Sequence, residues 1–301
     1  MKLKLTLLIT VALFSYQKII SQCFEIESIL VDACDNGREE AYNEMVKFKV
    51  GNTPLNTSNL IVKWPVPVGN IWLGLTKNEI SASKVADLNT KINLLGGCGK
   101  FIEPIDGILP KNSKVILVDS YNFDISMISF GAIIEDIYII FQDKNSLPNT
   151  GNFGNAGSVG SRTLLMSFGS CSDSVTYDSS LLVNINGGLG IGTAALTAGA
   201  SVNFTPSGTA SYVNYGCQAL FNLSTITVPV VTLNSNVLYS NVDSGNQWYN
   251  QDGKILGATN SEFTPTTSGN YYVIVTVSGC SSSPSNIISY NSLEVKENDL
   301  K

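Results

Sequence analysis

Histidine is absent from all 301 residues. Without it no Ser-His or Cys-His pair can form and no imidazole can hold zinc, so the commonest hydrolase and metalloenzyme mechanisms are excluded. Charge is scarce too: Asp, Glu, Lys and Arg make up 14% of the chain, with a formal net charge of -6. No basic cluster occurs, which argues against nucleic acid and anionic membrane as partners. Beyond residue 22 no apolar run approaches a membrane span. No CxxC pair offers thiolates at the spacing of a structural zinc site. No internal repeat makes one half of the chain a copy of the other.

The surface is therefore expected to rely on neutral polar groups, chiefly Ser, Thr, Asn and Gly. Lys2 and Lys4, the apolar run 5–14 and the polar Ser21-Gln22 have the layout of a secretory signal peptide over residues 1–22. Gln22 stands where lipid-attachment signals carry a small residue, so Cys23 is not expected to be lipidated. All six cysteines (Cys23, Cys34, Cys98, Cys171, Cys217 and Cys280) follow the leader and meet an oxidising compartment. They allow many connectivities. The preferred scheme joins Cys34 to Cys98 and Cys171 to Cys217, leaving Cys23 and Cys280 paired or free.

The stretch 43–51 reads as a central strand, because Val46, Phe48 and Val50 alternate with Lys47 and Lys49. Residues 24–31 precede it as a first strand. Residues 60–64 follow it as another, stopped by Pro65 and Pro67. In 81–95 the period changes: Val85, Leu88, Ile92 and Leu95 recur at helical spacing before Gly96-Gly97, predicting one short helix inserted in a β-domain. Residues 113–119 and 134–141 are dense in β-branched and aromatic side chains, as buried strands are. The Gly- and Asn-rich segment 143–162 reads as a long loop. Short strands resume at 163–168, 174–177, 181–185, 201–204 and 211–215, the pattern of an antiparallel sandwich. A linker at 221–227 leads to a second unit over 228–291, with strands at 230–233, 247–249, 262–264 and 271–277. Trp248 is expected in its core, and Tyr271 is expected to open a tyrosine corner.

The segment Cys23–Cys34, with Asn43-Glu44 and the strand after it, resembles the opening of lamin-tail-like domains in exported Bacteroidota proteins. Further matching stretches are residues 151–155, 162–164, 171–177 and 212–217. The resemblance spans about residues 23–220 and implies an immunoglobulin-like sandwich, although 64–118 fits poorly and is expected to be an insertion carrying the helix. Residues 226–291 are similar to the immunoglobulin-like repeats of bacterial surface adhesins, through 248–259, 263–273 and 278–280, but the usual partner of Cys280 is missing. Residues 292–301 resemble the linker before a type IX secretion sorting domain, without the Tyr-Pro-Asn-Pro that would follow.

The expected fold is thus all-β, with two antiparallel sandwiches of which the first is larger. Paired carboxylates could still serve glycan hydrolysis, and Asp32 with Glu44, or Glu135 with Asp136, are the candidates. Glu135 and Asp136, adjacent on a strand, would face opposite ways. Asp119 with Asp124, or Asp143 with the loop beyond it, could offer oxygens to calcium, without the ordered spacing of an EF-hand. Residues 187–192 are Gly-rich but lack the Lys-Ser/Thr of a phosphate loop and read as a bulged hairpin. No catalytic, cofactor-binding or metal residue is assigned. The functional expectation is a secreted or cell-surface, non-enzymatic binding, adhesion or structural module contacting carbohydrate or protein. The alternatives are a carboxylate-based glycan hydrolase and accessory domains of a larger exported enzyme.

Overall fold

The structure, a computed structural model, describes residues 23–34, 40–66, 71–145, 151–153, 159–189, 198–218 and 220–292. The expected leader, the tail beyond residue 292 and part of the 143–162 loop lie outside the described residues. In chain order the first unit holds β1 (Phe24–Asp32), a one-turn helix α1 (Glu40–Asn43), β2 (Met45–Val50), β3 (Leu55–Asn56), β4 (Leu60–Lys63) and β5 (Leu75–Thr76). Helix α2 (Glu79–Leu94), β6 (Phe101–Ile102), β7 (Ile108–Leu109), β8 (Lys114–Val118) and β9 (Ile137–Gln142) follow. It closes with β10 (Ser161–Phe168), β11 (Cys171–Asp178), β12 (Ala200–Phe204) and β13 (Ala210–Asn214).

Strand β2 is central, as its alternation predicts. The large sheet runs β13-β12-β1-β2-β8-β9-β5, with β6 also on β9. Val46, Phe48 and Val50 of β2 face the small sheet β11-β10-β4, where Leu164, Met166, Phe168 and Tyr177 complete one core. On the opposite face Met45 is buried under the α2 layer, whereas Lys49 meets water and Lys47 pairs with Glu27 at 3.2 Å. Both faces of β8 are covered: Val115 and Leu117 enter the sandwich core, Ile116 and Val118 the core under α2. That double burial explains its unbroken apolar run. Its pairing with β9 is parallel, as is that of β6 with β9, so this side of the sandwich departs from the purely antiparallel expectation.

Helix α2 starts where a capping box allows it. The Asn78 side chain accepts from the Ile80 and Ser81 amides while Ser81 Oγ accepts from the Asn78 amide. Val85, Leu88 and Ile92, three of the four residues the spacing picks out, form its buried face, whereas Leu95 caps the helix and is exposed. No helix among the described residues is long and apolar enough to cross a membrane.

The cysteine pairing differs from the expected scheme. The disulfides are Cys23–Cys171, Cys34–Cys217 and Cys98–Cys280. Strand order is the reason. β1 and β13 flank β12 antiparallel, with Asp32 and Asn214 both opposite Ala200. The two chains therefore leave the sheet at one end and bring Cys34 to Cys217. Cys23, just before β1, meets Cys171 at the start of β11, stitching the two sheets of the sandwich. Three disulfides fit an oxidising, extracellular type of environment.

The second unit holds β14 (Val231–Asn234), β15 (Val237–Ser240), β16 (Asn246–Asn250), β17 (Gly253–Lys254), β18 (Glu262–Phe263), β19 (Gly269–Val277), β20 (Cys280–Ser281) and β21 (Ile288–Tyr290). Sheets β14-β15-β18 and β17-β16-β19-β20, with β21 on β19, enclose Val231, Leu238, Trp248, Tyr271 and Val273. Trp248 is fully buried, and its Nε1 donates to Asn260 O at 2.8 Å. Tyr271 Oη donates to Thr267 O at 2.8 Å, the bond of a tyrosine corner.

The expected linker does not hang free. Leu220, Phe221 and Leu223 are buried in the core under α2, Thr225 bridges Ile133, and the Ile134 amide donates to Ser224 O at 3.1 Å. Its apolar residues cover the large sheet, so the free stretch of main chain between the units is the few residues beyond Ile226.

Candidate functional site

A cleft of about 410 Å³ opens at the β9 side of the large sheet. Along one edge of β9, β6 pairs with Ile137 and Tyr138, and β5 pairs with Phe141 and Gln142. Ile139 and Ile140 fall between the two short strands and line the cleft. The Ile137 amide donates to Lys100 O and the Asp143 amide to Gly74 O, both off this edge. By strand alternation the Ile139 main chain turns the same way.

Three irregular segments wall the notch. The ribbon of β3 with β7 leads into the 3-10 turns Thr57–Asn59 and Ile105–Gly107, which contribute Asn56, Thr57, Ser58 and Asp106. Asp106 has φ 51 and Gly107 φ 69, and a Cβ on Gly107 would sit 2.9 Å from Thr57 Oγ1, so a glycine lets the two turns approach. From the β5 side come Trp72, Thr76 and Lys77, with Glu103 opposite. Lys77 Nζ donates to Pro104 O at 3.3 Å, and Glu103 Oε1 accepts from Ser81 Oγ at 2.7 Å, so the α2 cap positions an acidic wall residue. Trp72 is half-buried and packs on Trp64, ring centroids 6.4 Å apart.

Trp64 connects the cleft to a buried polar cluster. Its Nε1 donates to Gln142 Oε1 at 3.1 Å, and Gln142 Nε2 donates to Asp119 Oδ1 at 2.6 Å and to Asp119 O at 3.0 Å. Lys144 Nζ donates to Asp119 Oδ2 at 2.8 Å, and Asn152 Nδ2 donates to Asp119 Oδ1. The Asn152 amide donates to Glu44 Oε2 at 2.6 Å and the Phe153 amide to Glu44 Oε1 at 3.4 Å. Tyr177 Oη donates to Phe153 O at 2.5 Å. Burial raises the Asp119 carboxyl to about 6 against the lowering effect of Lys144, and burial with the Glu44 charge pushes the Tyr177 phenol well above its ordinary range.

Compared with known proteins, the chain matches no family model, no curated protein and no solved structure. Function must then be argued from the site itself.

The sequence candidates fall elsewhere than the cleft. Asp32 and Glu44 are both fully buried and neither lines this cleft, and Glu44 spends its carboxylate on the 152–153 main chain. Neighbouring Asn43 is structural as well: its Nδ2 donates to Cys34 O at 2.7 Å, and its Oδ1 accepts from the Asp124 amide at 2.8 Å. Glu135 pairs with Lys114 at 2.6 Å, and Asp136 is exposed. The calcium candidates are not gathered: Asp119 holds Lys144, Asp124 accepts from Ser126, and Asp143 is exposed. Burial alone would raise the Asp124 pKa, but the Ser126 hydrogen bonds with the charges of Lys84 and Lys91 lower it overall. Among the described residues no three His, Cys, Asp or Glu side chains are grouped to hold a metal ion. The described part of 187–192 belongs to a tight hairpin, with Val183 bridging Leu189.

Glu103, Asp106 and Trp72, which do line the cleft, carry no sequence signal of their own. They lie in a single turn and in irregular backbone beside two-residue strands, too short for any periodicity. Pro104 beside Asp106-Gly107 marks a turn, but only the fold brings that turn to Trp72.

Proposed function

We infer that the protein is an exported, non-enzymatic binding module, secreted or held at the outer cell surface, whose ligand is carbohydrate or protein. The observation that carries this reading is the cleft around Trp72. An indole offers an apolar face to a sugar ring or a side chain, while Asn56, Thr57, Lys77 and Asp106 offer directional polar groups within reach of the same ligand. Apolar side chains flanking these residues in sequence are left to solvent: Ile71 is 71% exposed and Ile105 75%. Three disulfides support export. A lamin-tail-like first domain followed by an immunoglobulin-like repeat belongs to the same reading, supported in the second unit by buried Trp248 and by the Tyr271 bond to Thr267.

The test is a glycan-array screen of the mature protein, with and without calcium, repeated with Trp72→Ala. Saturable binding that the variant loses is expected. A blank array refutes carbohydrate and leaves a protein ligand, whereas binding that survives Trp72→Ala removes the cleft from the reading.

A second reading has one observation behind it: Glu103 and Asp106 are two carboxyls on one cleft, the minimum a glycan hydrolase needs. Release of new reducing ends from a bound glycan, abolished by Glu103→Gln and by Asp106→Asn, would replace binding by catalysis.

A further inference from the structure

The Asp119–Lys144 pair is an unusual use of two charges. Asp119 is wholly enclosed and the Lys144 side chain is 8% exposed, among Trp64, Phe153 and Gln142. Taking both ions out of water costs more than their attraction reliably returns. The surroundings of the carboxyl are also asymmetric. Among the described residues Oδ2 accepts from the lysine amine alone, at 2.8 Å, while Oδ1 accepts from Gln142 Nε2 at 2.6 Å and from Asn152 Nδ2. One oxygen is thus held by two amide donors and the other faces a nucleophile. Two donors on one carboxyl oxygen are what an acyl transfer at Cγ uses where negative charge develops, and the amine is already held against the same carboxyl.

We propose that Lys144 and Asp119 condense inside the folded protein to an intramolecular amide between Nζ and Cγ, a self-catalysed cross-link between the ends of β8 and β9. The ammonium passes one proton to Oδ2, and the neutral amine attacks Cγ. The developing charge on Oδ1 is stabilised by Gln142 Nε2 and Asn152 Nδ2. Oδ2 takes a second amine proton and leaves as water, so the products are a neutral secondary amide and one water, with no change of oxidation state. Burial, which raises the Asp119 carboxyl against the lowering effect of Lys144, favours the neutral acid of that group. Fixing both groups in one enclosed contact supplies the effective concentration. The amide keeps the hydrogen bonds to Oδ1 and removes both buried charges.

The test is the intact mass of the mature protein after reduction of its disulfides, compared with the Lys144→Arg variant to cancel any uncertainty in the N-terminus. After correction for the substitution, the unaltered chain is expected to be lighter by one water. Proteolysis is expected to yield a branched peptide joining the segments that contain Asp119 and Lys144. Chain kept in denaturant from synthesis onward is expected to retain its full mass, and Gln142→Met is expected to slow the loss after refolding. A full mass in the folded protein overturns the proposal, and so does a water loss that maps within one linear peptide, as a succinimide would. These readings need no ligand and stand apart from the fate of the cleft.

Discussion

Cys98 is bonded to Cys280, and the link runs from the loop after α2 in the large sandwich to β20 of the small one. The loop is held tightly at this point. A Cβ on neighbouring Gly99 would lie 2.3 Å from Glu135 O, and the Gly99 amide donates to Ile133 O at 2.9 Å. The second unit is therefore fastened to the first by the disulfide near residues 133–135, beside the Ile133–Thr225 bridge that pins the strap leading into it.

Cutting the covalent fastening is expected to loosen the junction without melting either core, because neither Cys98 nor Cys280 belongs to the sandwich core packed around Trp248. Limited proteolysis of Cys98→Ser/Cys280→Ser should cut just after Ile226 faster than it cuts the unaltered chain. Cuts between residues 220 and 225 should stay slow in both, since Leu220, Phe221 and Leu223 are buried. Early cleavage inside 220–225 of the unaltered chain would contradict that packing. Peptide mapping without reduction should recover Cys23 with Cys171 and Cys34 with Cys217.

Gly151 touches Glu44 so closely that any side chain is excluded: its Cβ would fall 2.2 Å from Glu44 Oε1. The carboxylate cannot step aside without releasing the amides of Asn152 and Phe153. Gly151→Ala is expected to cost about 1–3 kcal/mol, the usual range for overpacking a core. An unchanged Tm would mean that Glu44 does not fix this loop.

The parts of this architecture written locally are legible in the chain. β2 and β8 announce themselves because burial on one face or on two leaves an alternating or an unbroken apolar run, and α2 because Val85, Leu88 and Ile92 repeat with the helical turn. The cysteine pairing is not legible. It follows from which strands neighbour β12, and the partners are separated by 148 to 183 residues. The burial of Leu220, Phe221 and Leu223 is not legible for a related reason: they form too short a run to distinguish a packed strap from a linker. Asn43-Glu44 carries a motif-level resemblance, yet each side chain secures a distant loop.

The pH dependence of stability should carry the mark of Asp119. Its folded pKa of about 6 lies above the ordinary 3.8, so between those values the folded state binds more protons than the unfolded one. Stability from this group accordingly falls as pH rises from about 4 to about 6 and is level above. Glu25, raised chiefly by burial and then by Glu27 and Asp173, acts in the same direction. Asp124 and Asp178, held low with Ser126 and Ser180 as hydrogen-bond donors, have the opposite sign and lose their contribution only as pH drops below the ordinary carboxylate range. Denaturant titrations of chain kept in denaturant from synthesis and then freshly folded should show the downward slope, and Asp119→Asn should flatten it. The aged protein should lose the slope as well if its carboxyl has become an amide. A slope that is the same in all three samples would take Asp119 out of the account.

Two tryptophans separate binding from folding. Trp248 is fully enclosed, stacks on Phe263 at 5.6 Å and donates to Asn260 O. Trp248→Ala should cost about 3–5 kcal/mol and unfold the second unit first. Trp72 keeps one side on the cleft and the other on Trp64, so its removal gives up less packing and leaves the Trp64–Gln142 hydrogen bond in place. Trp72→Ala should therefore lower Tm by less than Trp248→Ala while abolishing ligand binding, and Trp248→Ala should spare binding at temperatures where the first unit stays folded. The decisive pair of measurements is a thermal melt and a binding isotherm on each variant. If Trp248→Ala removes binding while the first unit is intact, the ligand is held by the second sandwich and the cleft of the first is structural.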